Sequence, residues 1–214
     1  MRMVFDFESV GDGSRVTTTT YFGSVEQLEQ LLGMGMEEGM TQAMGQIDAV
    51  LADLASFAAG SGTHLQILGD TSVRVTRVIR GDVQTVWRAH NDAALMQQWM
   101  LGPDGWTMPT CEIAAEVGDT YQYVWERDGG EGRFGFTGTL LEQNPPHRSV
   151  TTEAMIGTDG PSTRNELTLT PVDGGTLMSL LITYPDAAVR DEILGTGMVD
   201  GMETSYARLE SVIG

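Results

Sequence analysis

An internal repeat restricts the architectures that this chain can adopt. Residues 5–51 align without a gap on residues 167–213, so that residue n of the first stretch corresponds to residue n + 162. The turn Val10-Gly11-Asp12-Gly13 corresponds to Val172-Asp173-Gly174-Gly175, and Leu32-Gly33-Met34-Gly35-Met36 corresponds to Leu194-Gly195-Thr196-Gly197-Met198. Both copies have the pattern of two strands joined by a Gly/Asp turn and followed by a long helix.

The two copies differ in what precedes them. A long series of strand patterns leads into the second copy, whereas the first copy stands at the start of the sequence. We therefore expect residues 1–58 to be a partial repeat, equivalent to the closing hairpin and helix of a preceding domain. Residues 59–71 are rich in small and polar side chains at their start and are predicted to be a linker. Residues 72–214 are predicted to form one complete domain.

The complete domain alternates between strand patterns and helix patterns. Strands are predicted over 73–80, 111–117, 120–127, 133–144, 149–156, 164–172 and 176–184, and helices over 83–90, 93–100 and 186–213. Seven antiparallel strands with one long closing helix predict an α+β, helix-grip fold, in which a curved sheet wraps around that helix. Because such a sheet cannot close tightly on a single helix, we expect a cavity between the two.

The charge of the chain excludes several classes of function. The formal net charge is −18, and all twelve basic residues are arginine. A surface this acidic repels nucleic acid and anionic membranes, so neither is an expected partner. The absence of lysine suggests a GC-rich bacterial source. Cys111 is the only cysteine, which rules out an internal disulfide and favours a cytoplasmic protein, and no apolar stretch is long enough for a membrane span.

Aromatic and methionine side chains are the candidates for contacting a ligand in the predicted cavity. They are Trp99, Tyr123, Trp125, Phe136, Met178, Met198, Met202 and Tyr206. Ordinary core packing remains an alternative for each of them. The closing helix also contains Gly195, Gly197 and Gly201, each of which costs roughly 0.5–1 kcal/mol relative to alanine in a helix. Either the helix backbone packs closely on the sheet there, or the glycines let the helix bend over a ligand.

Catalytic groups are not evident in the sequence. All three histidines are expected at the surface: His64 in the linker, His90 at a helix end and His147 in a turn. The glutamates in the predicted strands are expected to point towards solvent; they are Glu112, Glu116, Glu126, Glu142, Glu153 and Glu166. The alternation of apolar and polar residues predicts the orientation of Glu126 and Glu153 least clearly. No catalytic triad, His/Cys metal spacing or phosphate loop is recognisable. We therefore predict no metal and no cofactor, and favour a binding protein over an enzyme.

Three stretches resemble a known family. Val83–Trp99, Gly138–Arg148 with its Asn-Pro-Pro-His-Arg turn, and Leu167–Tyr184 with its Gly-Gly-Thr hairpin are similar to the heat-shock-protein-90 ATPase activator homologues of the START-like (SRPBCC, birch-allergen-like) superfamily. The resemblance implies a helix-grip fold with an internal cavity. It leaves the activity open, because this superfamily includes lipid carriers, hormone receptors, polyketide cyclases and co-chaperone domains. This chain has Gly201-Met202 where many relatives have a Gly-Trp pair.

These observations lead to one principal functional prediction. We expect the domain to bind a hydrophobic small molecule, such as a lipid or polyketide, between the sheet and the closing helix. A cyclase- or hydrolase-like enzyme using the same cavity is the alternative, and it requires a buried Glu, His or Asp. A co-chaperone-like regulator of the heat-shock protein 90 ATPase is a further alternative.

The helix of the first copy has an apolar stripe that needs a covering partner. The stripe is predicted from Val25, Leu28, Leu32, Met36, Ala43, Ile47, Val50 and Leu54. We expect a homodimer through residues 1–58, formed either by exchange of this segment or by helix pairing.

Overall fold

The computed structural model describes residues 2–10, 13–37, 39–41, 44, 62–102, 104–130 and 132–214. The chain divides into two compact units, Met1–Ala55 and Ser56–Gly214. Each unit has its own sheet. Part of the predicted apolar stripe of the first helix, from Ala43 onwards, lies outside the described residues.

The first unit is an antiparallel hairpin followed by helical segments. Strands β1 (Arg2–Val10) and β2 (Gly13–Tyr21) pair with Phe5 opposite Thr18. Helix α1 (Val25–Gly33) begins after Ser24, whose hydroxyl accepts a hydrogen bond from the Gln27 amide at 3.2 Å. The predicted long helix is interrupted: α1 ends at Gly33, the chain turns through Gly35, which has a φ of 83°, and the described residues 36–37, 39–41 and 44 are helical again.

The second unit is one eight-stranded antiparallel sheet with helices on one face. Its strands are β3 (His64–Leu68), β4 (Ser72–Ile79), β5 (Trp106–Glu112), β6 (Thr120–Arg127), β7 (Arg133–Asn144), β8 (Arg148–Met155), β9 (Thr163–Val172) and β10 (Gly175–Thr183), in the spatial order β3-β4-β10-β9-β8-β7-β6-β5. Its helices are α2 (Val83–Asn91), α3 (Ala93–Trp99), α4 (Ala187–Leu194) and α5 (Met198–Ile213). The helix-grip prediction is confirmed.

Three details of the fold differ from the sequence prediction. The sheet has an eighth strand, β3, within the segment that we expected to be a linker; it pairs with β4, and Leu65 packs on the core. Strand β5 covers 106–112 and not 111–117, because the chain already leaves the sheet after Glu112. The closing helix is broken in two between Leu194 and Met198.

The apolar interior consists of two main clusters. In the larger one, helices α2, α3 and α5 pack on β9 and β10 through fully buried residues that include Val86, Leu169, Met178 and Leu209. In the smaller one, Val73, Ile182 and Tyr184 pack against α4 and the first turn of α5. These clusters fill the half of the inner face that is formed by β4, β10 and the end of β9. Among the described residues, no helix is long and apolar enough to cross a membrane.

The closing segment of the second unit repeats the geometry of the first. Leu167 lies opposite Leu180 in β9 and β10, as Phe5 lies opposite Thr18, so that both pairs differ by the sequence offset of the repeat. Helix α4 ends at Leu194 and the chain turns through Gly197, with a φ of 80°, which corresponds to Gly35 in the first unit. That residues 1–58 derive from a second domain remains a prediction.

Candidate functional site

Three of the predicted ligand contacts lie in the closed core. Trp99, Met178 and Tyr206 are at most 6% exposed. The Trp99 indole donates a hydrogen bond to the Ala89 carbonyl at 2.9 Å and stacks on Tyr206 with 5.6 Å between ring centroids. These side chains hold α2, α3 and α5 together. These three side chains pack in the core, which was the alternative to ligand contact.

The other aromatic candidates form a continuous patch on the inner face of β6 and β7. We define the aromatic patch as Tyr123, Trp125, Phe134, Phe136 and Met155; Tyr123 lies opposite Phe136, Trp125 opposite Phe134, and Phe136 opposite Met155. The Trp125 and Phe134 rings stack 5.1 Å apart, and the Trp125 indole donates to the Met100 carbonyl at 2.7 Å. Phe134 is 37% exposed and Met155 45% exposed, whereas Trp125 is only 5% exposed, so the patch is open to solvent at Phe134 and Met155.

The closing helix changes direction at its glycines. Met198 begins α5 and packs on the smaller core cluster, whereas Met202, one turn later, packs on the larger one. Gly197 has the left-handed conformation that favours glycine, which explains the break. A Cβ at Gly197 or Gly201 would meet no atom within 4 Å, and at Gly195 it would meet only carbonyl oxygens of the preceding turn. Close packing on the sheet therefore does not explain these glycines.

A partly buried carboxyl lies beside the aromatic patch. Glu153 belongs to a polar group on the same face of the sheet, the Glu153 cluster, defined as Glu153, Tyr121, Thr163, Asn165 and Tyr184. Tyr121 donates hydrogen bonds to the Thr152 carbonyl at 2.8 Å and to Glu153 Oε2 at 3.4 Å, and Thr163 Oγ1 donates to Asn165 Oδ1 at 2.9 Å. Burial raises the pKa of Glu153, although hydrogen bonds from Asn165 and Tyr121 act in the opposite direction.

The expectation that Glu153 faces solvent is wrong, and β8 shows why. Because Val150 is apolar, the alternation along β8 predicts that it points to the inner face of the sheet. In the structure it lies on the outer face, where it is fully buried. It pairs with Glu142 on one side and Glu166 on the other, and two arginines bridge these carboxylates. Arginine stems can cover apolar surface in this way. The alternation of apolar and polar residues along β8 therefore predicted the wrong face of the sheet for Glu153.

His90 also differs from its prediction. It is not a surface histidine: its Nε2 is buried with no hydrogen-bond partner in the described part of the chain, and its ring lies 4.9 Å from the Trp99 ring. Its Nδ1 is 2.8 Å from the Val86 carbonyl oxygen. Burial lowers the pKa of His90, which keeps the ring neutral in the core. At Cys111, burial raises the thiol pKa to about 11, so this thiol is a poor nucleophile.

Two surface depressions lie apart from the patch. One, of about 570 Å³, is bordered by helix α2, the chain after β5 and the turn after β7; its lining includes Trp87, Ile113 and Pro145. The other, of about 350 Å³, lies along α2 between Gln84 and Asn91. Neither contains any of the predicted ligand contacts.

Comparisons with known proteins agree with this architecture. Residues 81–214 match the family model described as Activator of Hsp90 ATPase homolog 1-like protein. A protein from Rhodobacter sphaeroides has 26% identity and a TM-score of 0.66, and the alignment covers 71% of this chain and 97% of that one. A comparison with curated proteins gave no match.

Two further solved structures share the fold at lower identity. Protein Ms6760 from Mycobacterium smegmatis has 19% identity and a TM-score of 0.64, with 72% of this chain and 97% of that one covered. An AHSA1-like protein from Aeromonas hydrophila has 18% identity and a TM-score of 0.55, with 65% and 92% covered. Because the family model spans more than half of the sequence, the chain belongs to the Activator of Hsp90 ATPase homolog 1-like protein family, within the START-like superfamily.

Proposed function

We propose that the second unit binds a hydrophobic small molecule on the aromatic patch, between the sheet and the broken closing helix. The supporting observation is the unequal filling of the inner face. Met178 and Leu209 on the inner face are fully buried from solvent, whereas Phe134 and Met155 remain more than a third exposed on the same side of the sheet. A contiguous exposed apolar surface inside a concave face is typical of a ligand site.

The geometry of the patch favours a flat or aromatic ligand. The rings of Tyr123 and Phe136 are set edge-on to Trp125, at interplanar angles of 76° and 73°. A flat molecule can therefore contact ring faces and ring edges together, which are the arrangements that aromatic pairs prefer. The net charge of −18 disfavours anionic ligands, so we expect the ligand to be neutral or cationic.

Binding of a neutral fluorescent dye tests this function. We expect Nile red to bind the purified protein with a blue-shifted emission, since the patch removes the dye from water. Phe136→Ala should weaken binding by at least about tenfold, because a buried phenylalanine contributes about 1.5–3 kcal/mol.

The control for this titration lies on the same strand. Leu141 is 40% exposed and is not part of the aromatic patch. Leu141→Ala should leave the dye affinity within about twofold of the wild type, since only surface apolar area is lost. Equal losses for the two variants would indicate general surface adsorption and would contradict a site on the patch.

An enzyme remains the second candidate, and Glu153 is the observation that favours it. A partly buried carboxyl with a raised pKa, next to a surface for an apolar substrate, has the property that a general acid requires. Ester or lactone turnover that is lost in Glu153→Gln, with retained Nile red binding, would support this candidate over a binding protein.

We also propose that the first unit forms a homodimer through the edge of β1, which pairs with no other strand than β2 among the described residues. Met3, Phe5 and Phe7 lie on one face of this strand and are 37%, 49% and 74% exposed. Antiparallel pairing with β1 of a second copy, centred on Phe5, would set Met3 opposite Phe7 and Arg2 opposite Glu8. The apolar face would then continue across both copies, and the charges on the other face would be complementary.

Opposite charges at Val4 test this pairing, since Val4 would lie opposite Asp6 of the second copy. Val4→Arg should tighten the dimer and Val4→Glu should weaken it, with about a 10- to 30-fold difference in Kd, because two cross-strand pairs change sign. Analytical ultracentrifugation measures both constants. The two substitutions are equally polar, so similar constants would contradict the pairing, as would a monomer at micromolar concentration in all three proteins.

A further inference from the structure

The hydroxyl of Tyr184 is an unusual buried group. Tyr184 follows β10, is only 3% exposed, and packs in the smaller core cluster beside Val73 and Ile182. Its hydroxyl is buried and has no hydrogen-bond partner among the described residues. Buried hydroxyls are nearly always paired, because an unpaired one loses its bonds to water without replacement. This hydroxyl is therefore a candidate for contacting a polar group of a ligand.

Tyr184 lies on the same side of the sheet as Glu153. Glu153 is opposite Thr163 in β8 and β9, and Thr183, which precedes Tyr184, is opposite Arg164, which follows Thr163. Two strand spacings separate the backbones of Glu153 and Tyr184 by roughly 10 Å. Burial, and then the charge of Glu153 when it is ionised, raise the pKa of Tyr184. A small polar group between them could contact both.

The Glu153 cluster is continuous with the aromatic patch. The rings of Tyr121 and Tyr123 lie 4.9 Å apart, which joins the cluster to the patch along β6. On the next strand but one, Met155 of the patch follows Glu153 on the same face of β8. A molecule whose apolar body covers the patch would thus have one end near Glu153 and Tyr184.

The chemistry of the two groups restricts that end. A carboxyl held towards its neutral form and a phenol can each donate and accept a hydrogen bond. A ligand hydroxyl can do the same, so it fits both partners. A carboxylate does not fit, because it would be desolvated near Glu153 in a chain with a net charge of −18.

Resting on the proposed binding function, we propose that the site selects apolar alcohols or phenols, whose hydroxyl lies between Glu153 and Tyr184 while the hydrocarbon part covers the aromatic patch. The ligand hydroxyl provides Tyr184 with the hydrogen-bond partner that it lacks in the described part of the chain. The same site discriminates against fatty acids and other apolar anions.

Competition against Nile red by three matched compounds tests the selectivity. Naphthalene, 2-naphthol and 2-naphthoate share one ring system and differ in a single substituent. At about pH 7.5, where 2-naphthol is neutral, we expect it to bind at least about fivefold more tightly than naphthalene, which is the value of one net hydrogen bond. We expect 2-naphthoate to bind at least about tenfold more weakly than naphthalene.

Tyr184→Phe provides the decisive variant. Because the hydroxyl has no partner among the described residues, its removal should raise the melting temperature while lowering the preference for 2-naphthol over naphthalene to less than about twofold. Tyr121→Phe is the matched control for stability: its hydroxyl is hydrogen-bonded, so its loss should lower the melting temperature. Glu153→Leu should also reduce the preference for 2-naphthol.

The outcomes separate this proposal from the binding function itself. Binding of naphthalene and 2-naphthol with equal affinity would overturn the alcohol selectivity and leave the apolar site standing. A preference for 2-naphthol that persists in Tyr184→Phe would also overturn it. Failure of Nile red and of all three compounds to bind would overturn both proposals.

Discussion

Replacing Gly138 by alanine should destabilise the second unit by about 3 kcal/mol or more. A Cβ at this position would lie 1.8 Å from the Thr152 carbonyl oxygen and 2.8 Å from Tyr121 Cε1. The first contact is with the backbone of β8, which cannot move without disturbing the sheet. Gly138 therefore permits the close approach of β7, β8 and the Tyr121 ring, whose hydroxyl lies beside Glu153. Guanidinium unfolding, followed by tryptophan fluorescence, measures the loss.

Gly201→Ala is the matched control for this substitution. Gly201 lies inside α5, and a Cβ there would contact nothing within 4 Å. The same change should therefore raise the free energy of unfolding by about 0.5–1 kcal/mol, the difference in helix propensity between glycine and alanine. A loss below about 1 kcal/mol in Gly138→Ala would contradict the close approach of the two strands.

Trp99→Ala should cost about 3–5 kcal/mol of unfolding free energy, because it leaves a large cavity in the main core. Trp99 is 2% exposed, donates a hydrogen bond to the Ala89 carbonyl, stacks on Tyr206 and contacts the His90 ring at a tilted angle of 58°. It is thus a structural residue, although the sequence analysis nominated it for ligand contact. Thermal and guanidinium unfolding measure the effect.

A smaller substitution separates the structural role of Trp99 from ligand contact. Trp99→Phe keeps an aromatic ring in the core and should cost clearly less stability than Trp99→Ala. The folded Trp99→Phe protein should still bind Nile red with nearly the wild-type affinity. A loss of dye binding comparable to that of Phe136→Ala would show that Trp99 contacts the ligand directly.

The general fold was predictable because periodicity and the repeat both indicate it. The strand predicted at 176–184 lies at 175–183, and the offset between repeats reappears in the register of both hairpins. The edge strand β3 was missed because its five residues follow a run of small, linker-like residues. Short edge strands pair along one side only, so they need less apolar alternation than central strands.

The break in the closing helix could not be found from its apolar periodicity. Leu194, Met198 and Met202 keep a spacing of four through the break, as they would in a continuous helix. The glycines were the available signal, since Gly197 has a φ that other residues rarely adopt. The bend was one of the two explanations considered for these glycines, and the structure gives it a definite position.

The candidate site was predicted only in part, for a physical reason. Its aromatic side is visible in the alternation of Tyr121, Tyr123 and Trp125 along β6. Its polar side depends on which face of β8 is inward, and there the ion pairs over Val150 reverse the simple pattern. Such a network joins residues of three strands, so it is not apparent from the sequence of any one of them.

The central claim is that an apolar molecule occupies the aromatic patch on the inner face of the sheet. NMR of protein labelled at the methionine methyl groups tests it most directly during a Nile red titration. We expect the Met155 methyl to shift in a saturable manner and to show contacts to the dye. Met34, which is more exposed at 74%, should not shift if binding is specific. Shifts at Met34 without saturation at Met155 would contradict a ligand site on the patch.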